Sequence, residues 1–188
     1  MISKAQAFIE QNAAAPQLAE VRFLLAQALK KIGRDREAVR QVMALLEDQE
    51  STARRNPENW TYWRQRAGNE IANQLYGSGD YLNALSIYSS LANLDLSPRW
   101  RMPAWYQIGL VYERLQQPQK ALEAYDKILA SEKDLDSTTT SPNLDVIREM
   151  AKWRRNYLGW LMQAERSNER FSSQNSVTTA NESNITNR

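Results

Sequence analysis

Neither cysteine nor histidine occurs in the 188 residues. Without cysteine there is no disulfide, no thiol nucleophile and no thioether-bound haem. Without histidine the usual general base of hydrolytic triads is missing. Zinc sites built on either residue go with them. No catalytic residue, metal or cofactor is therefore expected, and the chain is not read as an enzyme. Long apolar runs are lacking too, so no transmembrane segment is expected. Charge of one sign is not in excess either. A net charge of +2 gives the chain as a whole no pull on a polyanion. No stretch shows the alternation of a strand.

What is present is a spacing. From Trp105 to Leu129 the chain reads WYQIGLVYERLQQPQKALEAYDKIL. Trp105, Ile108, Gly109 and Tyr112, then Ala121 and Tyr125, follow the order W-x2-L-G-x2-Y…A-x3-F, with Ile for Leu and Tyr for Phe. Two short antiparallel helices must each offer an apolar stripe to the other. Gly109 and Ala121 are small enough to let the backbones approach, and Trp105, Tyr112 and Tyr125 fill the space around the crossing. Pro118 stands where a first-turn proline loses no helical hydrogen bond. The segment resembles a tetratricopeptide repeat, with Lys133 near the place of the closing proline. The resemblance implies an all-α solenoid that serves as a binding scaffold. One hairpin cannot bury its own faces, so further repeats are expected.

The same register assigns repeats near 102–135, 65–98 and 19–52. The second carries Ile71, Ala72, Ala84 and Tyr88, with Gly77, Gly79 and Asp80 at its turn. The first carries Leu25, Ala26, Leu29, Gly33 and Ala38. Between these two, Asn56-Pro57 reads as a helix start, which lengthens the next helix at its N-terminus. Arg99 to Arg101 read as a short linker. At the ends, Ile2, Ala5, Ile9 and Ala13 make a lone second helix. Ser141-Pro142 begin a lone first helix, a capping helix near 142–166, after the polar loop SEKDLDSTTTS. The expected total is eight helices in one array, residues 1–166. Residues 167–188 are rich in Ser, Asn and Thr and are expected to be disordered. The opening MISKAQAFIEQN reads as an amphipathic helix rather than an export signal. The compartment is then the cytoplasm, or the periplasm if a signal precedes it. The insertions also resemble those of bacterial envelope-assembly lipoproteins built from such repeats, without the lipid-carrying cysteine.

Gly77-Ser78-Gly79 lacks the Lys-Ser/Thr of a phosphate loop and reads as a turn. Glu113, Glu123 and Asp126 lie near Arg114, Lys120 and Lys127 and read as ion-pairing residues rather than acid–base groups. The Asn181 and Asn184 triplets fit the glycosylation pattern but read as chance in that tail. The resemblance implies a concave groove lined by first-helix positions. Residue by residue these are Glu20, Phe23, Gln27 and Lys30, then Arg66, Asn69, Asn73 and Tyr76, then Pro103, Tyr106, Leu110 and Glu113. Paired amides suit extended peptide backbone, having both donor and acceptor. Phe23 and Pro103 stand where chaperone-binding members carry the lysines of a carboxylate clamp, so that clamp is not expected.

The last helix carries two apolar stripes. Leu144, Ile147, Ala151, Leu158, Leu161 and Met162 suit the third repeat. Val146, Met150, Trp153, Tyr157, Trp160 and Ala164 form a second stripe with no partner in the chain. The expected partner is a protein or peptide in the groove or on this aromatic stripe. Self-assembly is a further expectation, with the 2–13 helix of another copy completing the half-repeat. The alternative is a helical-repeat RNA binder using Arg99, Trp100 and Arg101, or Trp153, Arg154 and Arg155. The near-neutral charge speaks against nucleic acid.

Overall fold

The three hairpins turn in one common way, and that turn sets the architecture. Gly33, Gly79 and Gln116 hold positive φ angles of 76°, 84° and 55°. In the second hairpin Gly79 N–H donates to Tyr76 C=O at 3.1 Å, and Asp80 N–H to Leu75 C=O at 2.9 Å. The first repeats this with Gly33 to Lys30 and Arg34 to Leu29, the third with Gln116 to Glu113 and Gln117 to Tyr112. A left-handed residue thus closes each first helix by satisfying its last carbonyls. Asp80 then caps the following helix, its carboxylate accepting from Asn83 N–H at 3.4 Å.

The computed structural model describes residues 1–47, 57–94, 98–130 and 142–185. Among them the elements are α1 Ile2–Gln11, α2 Leu18–Lys31, α3 Asp35–Glu47, α4 Pro57–Gly77, α5 Tyr81–Asn93, α6 Pro98–Arg114, α7 Pro118–Ala130 and α8 Pro142–Ile185. Helices α2–α3, α4–α5 and α6–α7 are the hairpins, and α1 and α8 pack at the two ends. The chain is an all-α helical-repeat solenoid.

In the third hairpin a small residue on the first helix meets an aromatic ring on the second. A Cβ built at Gly109 would overlap three carbons of the Tyr125 ring, the farthest only 3.0 Å away. Ala72 and Tyr88 keep the same separation in the chain, as do Ala26 and Val42, and all four are buried in one cluster. Gly68 makes a second close approach in α4, against the Leu91 side chain. The main cluster runs from α2 through α7, with Ile2, Ala5 and Ile9 of α1 packed against it. A second joins Met102, Tyr106, Ala121, Tyr125 and Ile128 to Leu144, Ala151 and Leu158 of α8. The aliphatic stripe expected to cover the third repeat therefore does so.

Two boundaries differ from the sequence reading. Arg99 to Arg101 are not a linker: α6 begins at Pro98 and runs through them and Pro103. A proline this near a helix start removes one backbone bond without ending the helix. The last helix does not stop near Arg166. It continues to Ile185, because elongation needs no new nucleus and neither glycine nor proline follows Gly159. The 131–141 loop with Ser141 as cap, the 48–52 end of the first repeat and residues 53–56 lie outside the described residues.

Gly109→Ala should lower stability by about 1–3 kcal/mol, since even a methyl group overlaps Tyr125. Gln116→Gly should raise it by about 0.5–1 kcal/mol, because exposed Gln116 bears the left-handed strain its two counterparts avoid. Thermal melts followed by circular dichroism check both signs.

The crossing tyrosines also set a pH dependence. Tyr88 and Tyr125 are buried, and burial pushes both phenols well above their ordinary value. Tyr76 adds to this at Tyr88, and the hydrogen bond and charge of Glu113 add to it at Tyr125. Unfolded, both ionise near pH ~10; folded, both stay neutral. The unfolded chain then binds fewer protons, so their contribution is intact below pH ~10 and is lost above it. The expected slope is up to about 1.4 kcal/mol per pH unit for each tyrosine. Tyr88→Phe should remove one tyrosine's share in urea melts taken between pH ~10 and ~11.

Candidate partner-binding surface

The groove residues expected from the sequence lie on α2, α4 and α6, one first helix per hairpin. Many of them are engaged in linking those helices to one another. Gln27 on α2 donates from Nε2 to Glu70 on α4. Lys30 pairs with Asp35 at 3.0 Å and reaches Ser78 at the end of α4 at 3.3 Å. Tyr76 on α4 accepts at its hydroxyl from Arg114 Nε on α6 at 3.2 Å, and its ring packs edge-on to Tyr81. Glu113 and Tyr106 on α6 are both held by Arg154 on α8, at 2.8 and 3.2 Å. A line of polar contacts thus runs from α2 to α8 along the first-helix face.

Two of the expected groove residues prove to be core. Phe23 is only 2% exposed and packs with Ala19, Leu45, Trp60 and Ala67, with Trp63 against them. The N-terminal extension of α4 brings both tryptophans onto it. Tyr106 is buried in the cluster that α8 closes. Leu110, Glu20 and Pro103 are half-buried. The exposed members are Arg66, Asn69 and Asn73, on successive turns of α4. Arg66 is held in place: its guanidinium donates to Tyr62 Oη at 2.7 Å and lies 5.4–5.9 Å from the ring centres of Phe23, Tyr62 and Trp63. Asn73 Oδ1 accepts from the Tyr88 hydroxyl at 2.6 Å.

Glu113 is the electrostatic junction of the third hairpin. It accepts from the Tyr125 hydroxyl and pairs with Arg154. Burial pulls the Arg154 guanidinium down, but the Tyr106 hydrogen bond and the Glu113 charge raise it overall. Glu113 and Asp126 therefore pair, though not with the neighbours on their own hairpin, and Glu123 stands exposed with no ion pair among the described residues. Asp126 meets Arg155 of α8 at 2.6 Å. Lys127 lies 3.8 Å from the Trp105 ring centre and Lys120 5.6 Å from that of Tyr112.

The aromatic stripe of α8 is exposed along its length. Trp153 and Trp160 are each 63% exposed, and Met150 and Tyr157 are exposed as well. Trp153 stacks on Tyr157 at 5.4 Å and Tyr157 on Trp160 at 6.4 Å. Residues that the sequence did not single out join the first-helix face. A cleft of about 530 Å³ between α2 and α4 is lined by Leu24, Lys31 and Gln74 with Met1, Gln27 and Lys30. An exposed leucine on the polar side of α2 was the available signal for Leu24.

Among the described residues no three acidic side chains converge as a metal site. No described helix is long and apolar enough to cross a membrane.

The family model for the tetratricopeptide repeat matches residues 103–135. The third hairpin is a tetratricopeptide repeat. The two hairpins before it share its turn, and a small and a large residue recur in each at the same separation. No curated protein and no solved structure matches the chain. Tetratricopeptide repeats mediate protein–protein interaction and are typically non-catalytic scaffolds.

Glu113→Ala should cost about 1–3 kcal/mol, because it leaves the buried Tyr125 hydroxyl without its acceptor and Arg154 without its charge partner. The double variant with Arg154→Ala should cost less than the two single changes together, by about 0.5 kcal/mol or more in a urea-melt cycle.

Proposed function

We propose that this chain is a non-catalytic scaffold that takes an extended segment of a partner protein along its first-helix face. The segment lies across Arg66, Asn69 and Asn73 of α4. Gln27 and Lys30 flank it on the α2 side, and Tyr76 and Leu110 toward α6. The observation that carries this reading is the exposed row of one guanidinium and two amides on consecutive turns of a single helix. Asparagine is a poor helix former, so helix propensity does not account for two on one stripe; Asn73 satisfies the Tyr88 hydroxyl, whereas Asn69 is exposed. Each amide can donate to a backbone carbonyl and accept from a backbone N–H. Arg66 is pre-oriented by Tyr62 and three rings, so little rotamer freedom remains to be lost on binding. The neighbouring α2–α4 cleft has room for a side chain of the bound segment. An RNA reading built on Trp153 and Arg154 loses support, since Arg154 is spent on Glu113 and Tyr106.

The test starts from peptides selected from a random displayed library on the immobilised chain. Arg66→Ala and Asn69→Ala should each weaken binding of the selected peptides, by roughly 1–2 kcal/mol. Leu82→Ser, on the exposed side of the second helix α5, should leave binding unchanged. Titration calorimetry reads both. Equal affinity for all variants would remove the α4 row from the binding surface.

A further inference from the structure

We propose that the uncovered face of α8 pairs with the same face of a second copy of this chain, antiparallel, to form a homodimer. The inference rests on α8 alone, so its failure leaves the peptide-binding stripe of α4 untouched.

The spacing comes first. Val146, Met150, Trp153, Tyr157, Trp160 and Ala164 follow one another at alternating steps of four and three, and Phe171 continues the series one heptad after Ala164. This is the a/d seam of a two-stranded coiled coil, whose repeat of about 3.5 residues keeps a stripe against one partner. A helix that only covers a neighbour uses the broader 3.6-residue face, and α8 has that as well. Leu144, Ala151 and Leu158 are buried against the third hairpin. The seam is thus a second face, uncovered by any other element among the described residues.

Its size is adequate. Val146 is 56% exposed, Met150 and Tyr157 45%, Trp153 and Trp160 63%, and Phe171 70%. At the surface an aromatic side chain offers, the four aromatics alone leave roughly 400–600 Å² uncovered. With Val146 and Met150 the seam approaches the roughly 800 Å² that each partner gives to a standard stable interface. It runs along roughly 38 Å of helix.

The partner follows from what surrounds the seam. Its solvent-side flank carries Asp145, Glu149, Lys152 and Arg166, two charges of each sign, with the amides Asn156 and Gln163 between them. A balanced flank does not repel its own copy. It also lacks the cationic density of a helix built to lie on an anionic membrane. The head-to-tail arrangement expected from the sequence is disfavoured. Ile2, Ala5 and Ile9 of α1 are already packed into their own array, so α1 offers no stripe to meet α8. The seam is its own best complement.

Antiparallel pairing follows from residue size. With the two-fold axis beside Leu158 and Gly159, Trp153 of one copy faces Ala164 of the other, Met150 faces Ser167 and Val146 faces Phe171. Tyr157 meets Trp160 at the centre. Outside the centre each larger side chain then meets a smaller one, the arrangement that fills a layer without voids. Asn156 and Gln163 come together at the solvent edge, where two amides can bond. In a parallel pair Trp153 and Trp160 would each face their own copies across one layer.

Sedimentation velocity on the full chain from about 1 to 100 μM, a range that brackets typical micromolar association, is the primary test. A concentration-dependent dimer is expected. Trp153→Ser/Trp160→Ser should raise its dissociation constant at least tenfold, with the far-ultraviolet circular dichroism unchanged. The chain has no cysteine, so direction can be read by mixing Asn156→Cys and Gln163→Cys and oxidising. Cross-links between the two variants in excess over those within each support the antiparallel pair. A chain that stays monomeric at 100 μM overturns the proposal, as does a dimer that the double serine variant leaves intact. An excess of same-variant cross-links overturns the antiparallel direction. Binding of the monomer to phosphatidylserine vesicles, lost in the serine variant, would give the seam to a membrane instead and overturn it too.

Discussion

The architecture depends on the approach of Gly109 to the Tyr125 ring. The ring occupies the space that a side chain on α6 would need. Every other feature of the hairpin is fixed relative to that contact. The first helix can run only as far as the left-handed residue that follows the crossing at a constant interval, at Gly33, Gly79 and Gln116. The second helix starts just after it. Ala72 with Tyr88, and Ala26 with Val42, recur at the same separation in one buried cluster, and a unit repeated in this way stacks into a solenoid. The phenol oxygens extend the constraint outward. Tyr88 fixes Asn73 and Tyr125 fixes Glu113, so the core crossing dictates where two polar groups of the first-helix face stand.

That coupling divides the face into two kinds of residue. Glu113, Tyr76, Gln27 and Lys30 bond to the next helix along. Their side chains are ordered before any partner arrives, and a partner that displaced them would leave half-buried charges unpaired. Arg66, Asn69 and Asn73 are exposed and stand on a backbone that those same links hold rigid. On the proposed reading, a partner meeting this row would lose little to ordering the protein, which is the main gain from a stiff scaffold. The structural links and the available row are therefore parts of one design.

Local rules made the helices and their turns legible in the sequence. Apolar spacing, small residues against aromatic ones, glycine at two of the three turns, and proline at the starts of α4, α7 and α8 are short-range signals, and the eight described helices lie where such signals place them. Surroundings set by distant segments were not legible. Phe23 becomes core only because the extension of α4 lays Trp60 and Trp63 on it. Tyr106 and Glu113 leave the open face only because Arg154, far along the chain, reaches them. Of the three carboxylates, Glu113 and Asp126 form ion pairs, but with Arg154 and Arg155 of α8, and the nearby lysines turn to the rings of Trp105 and Tyr112 instead. Pro103 and the polar residues after Arg166 looked like boundaries because composition weighs breakers individually. A helix already nucleated and packed passes through them.

The first and last described helices differ in what they leave uncovered. On α1 the apolar residues Ile2, Ala5 and Ile9 pack against the array. On α8 an aromatic ladder lies outside, along one stripe with coiled-coil spacing, while charges occupy the remaining arc. Joining two arrays through that stripe would do more than cover it. Each copy would bring its own α4 row, so one particle would hold two peptide-binding faces at a fixed separation. A partner with two suitable segments would then meet the second face at an effective concentration set by the segment between them, and its avidity would exceed either single affinity without any new contact.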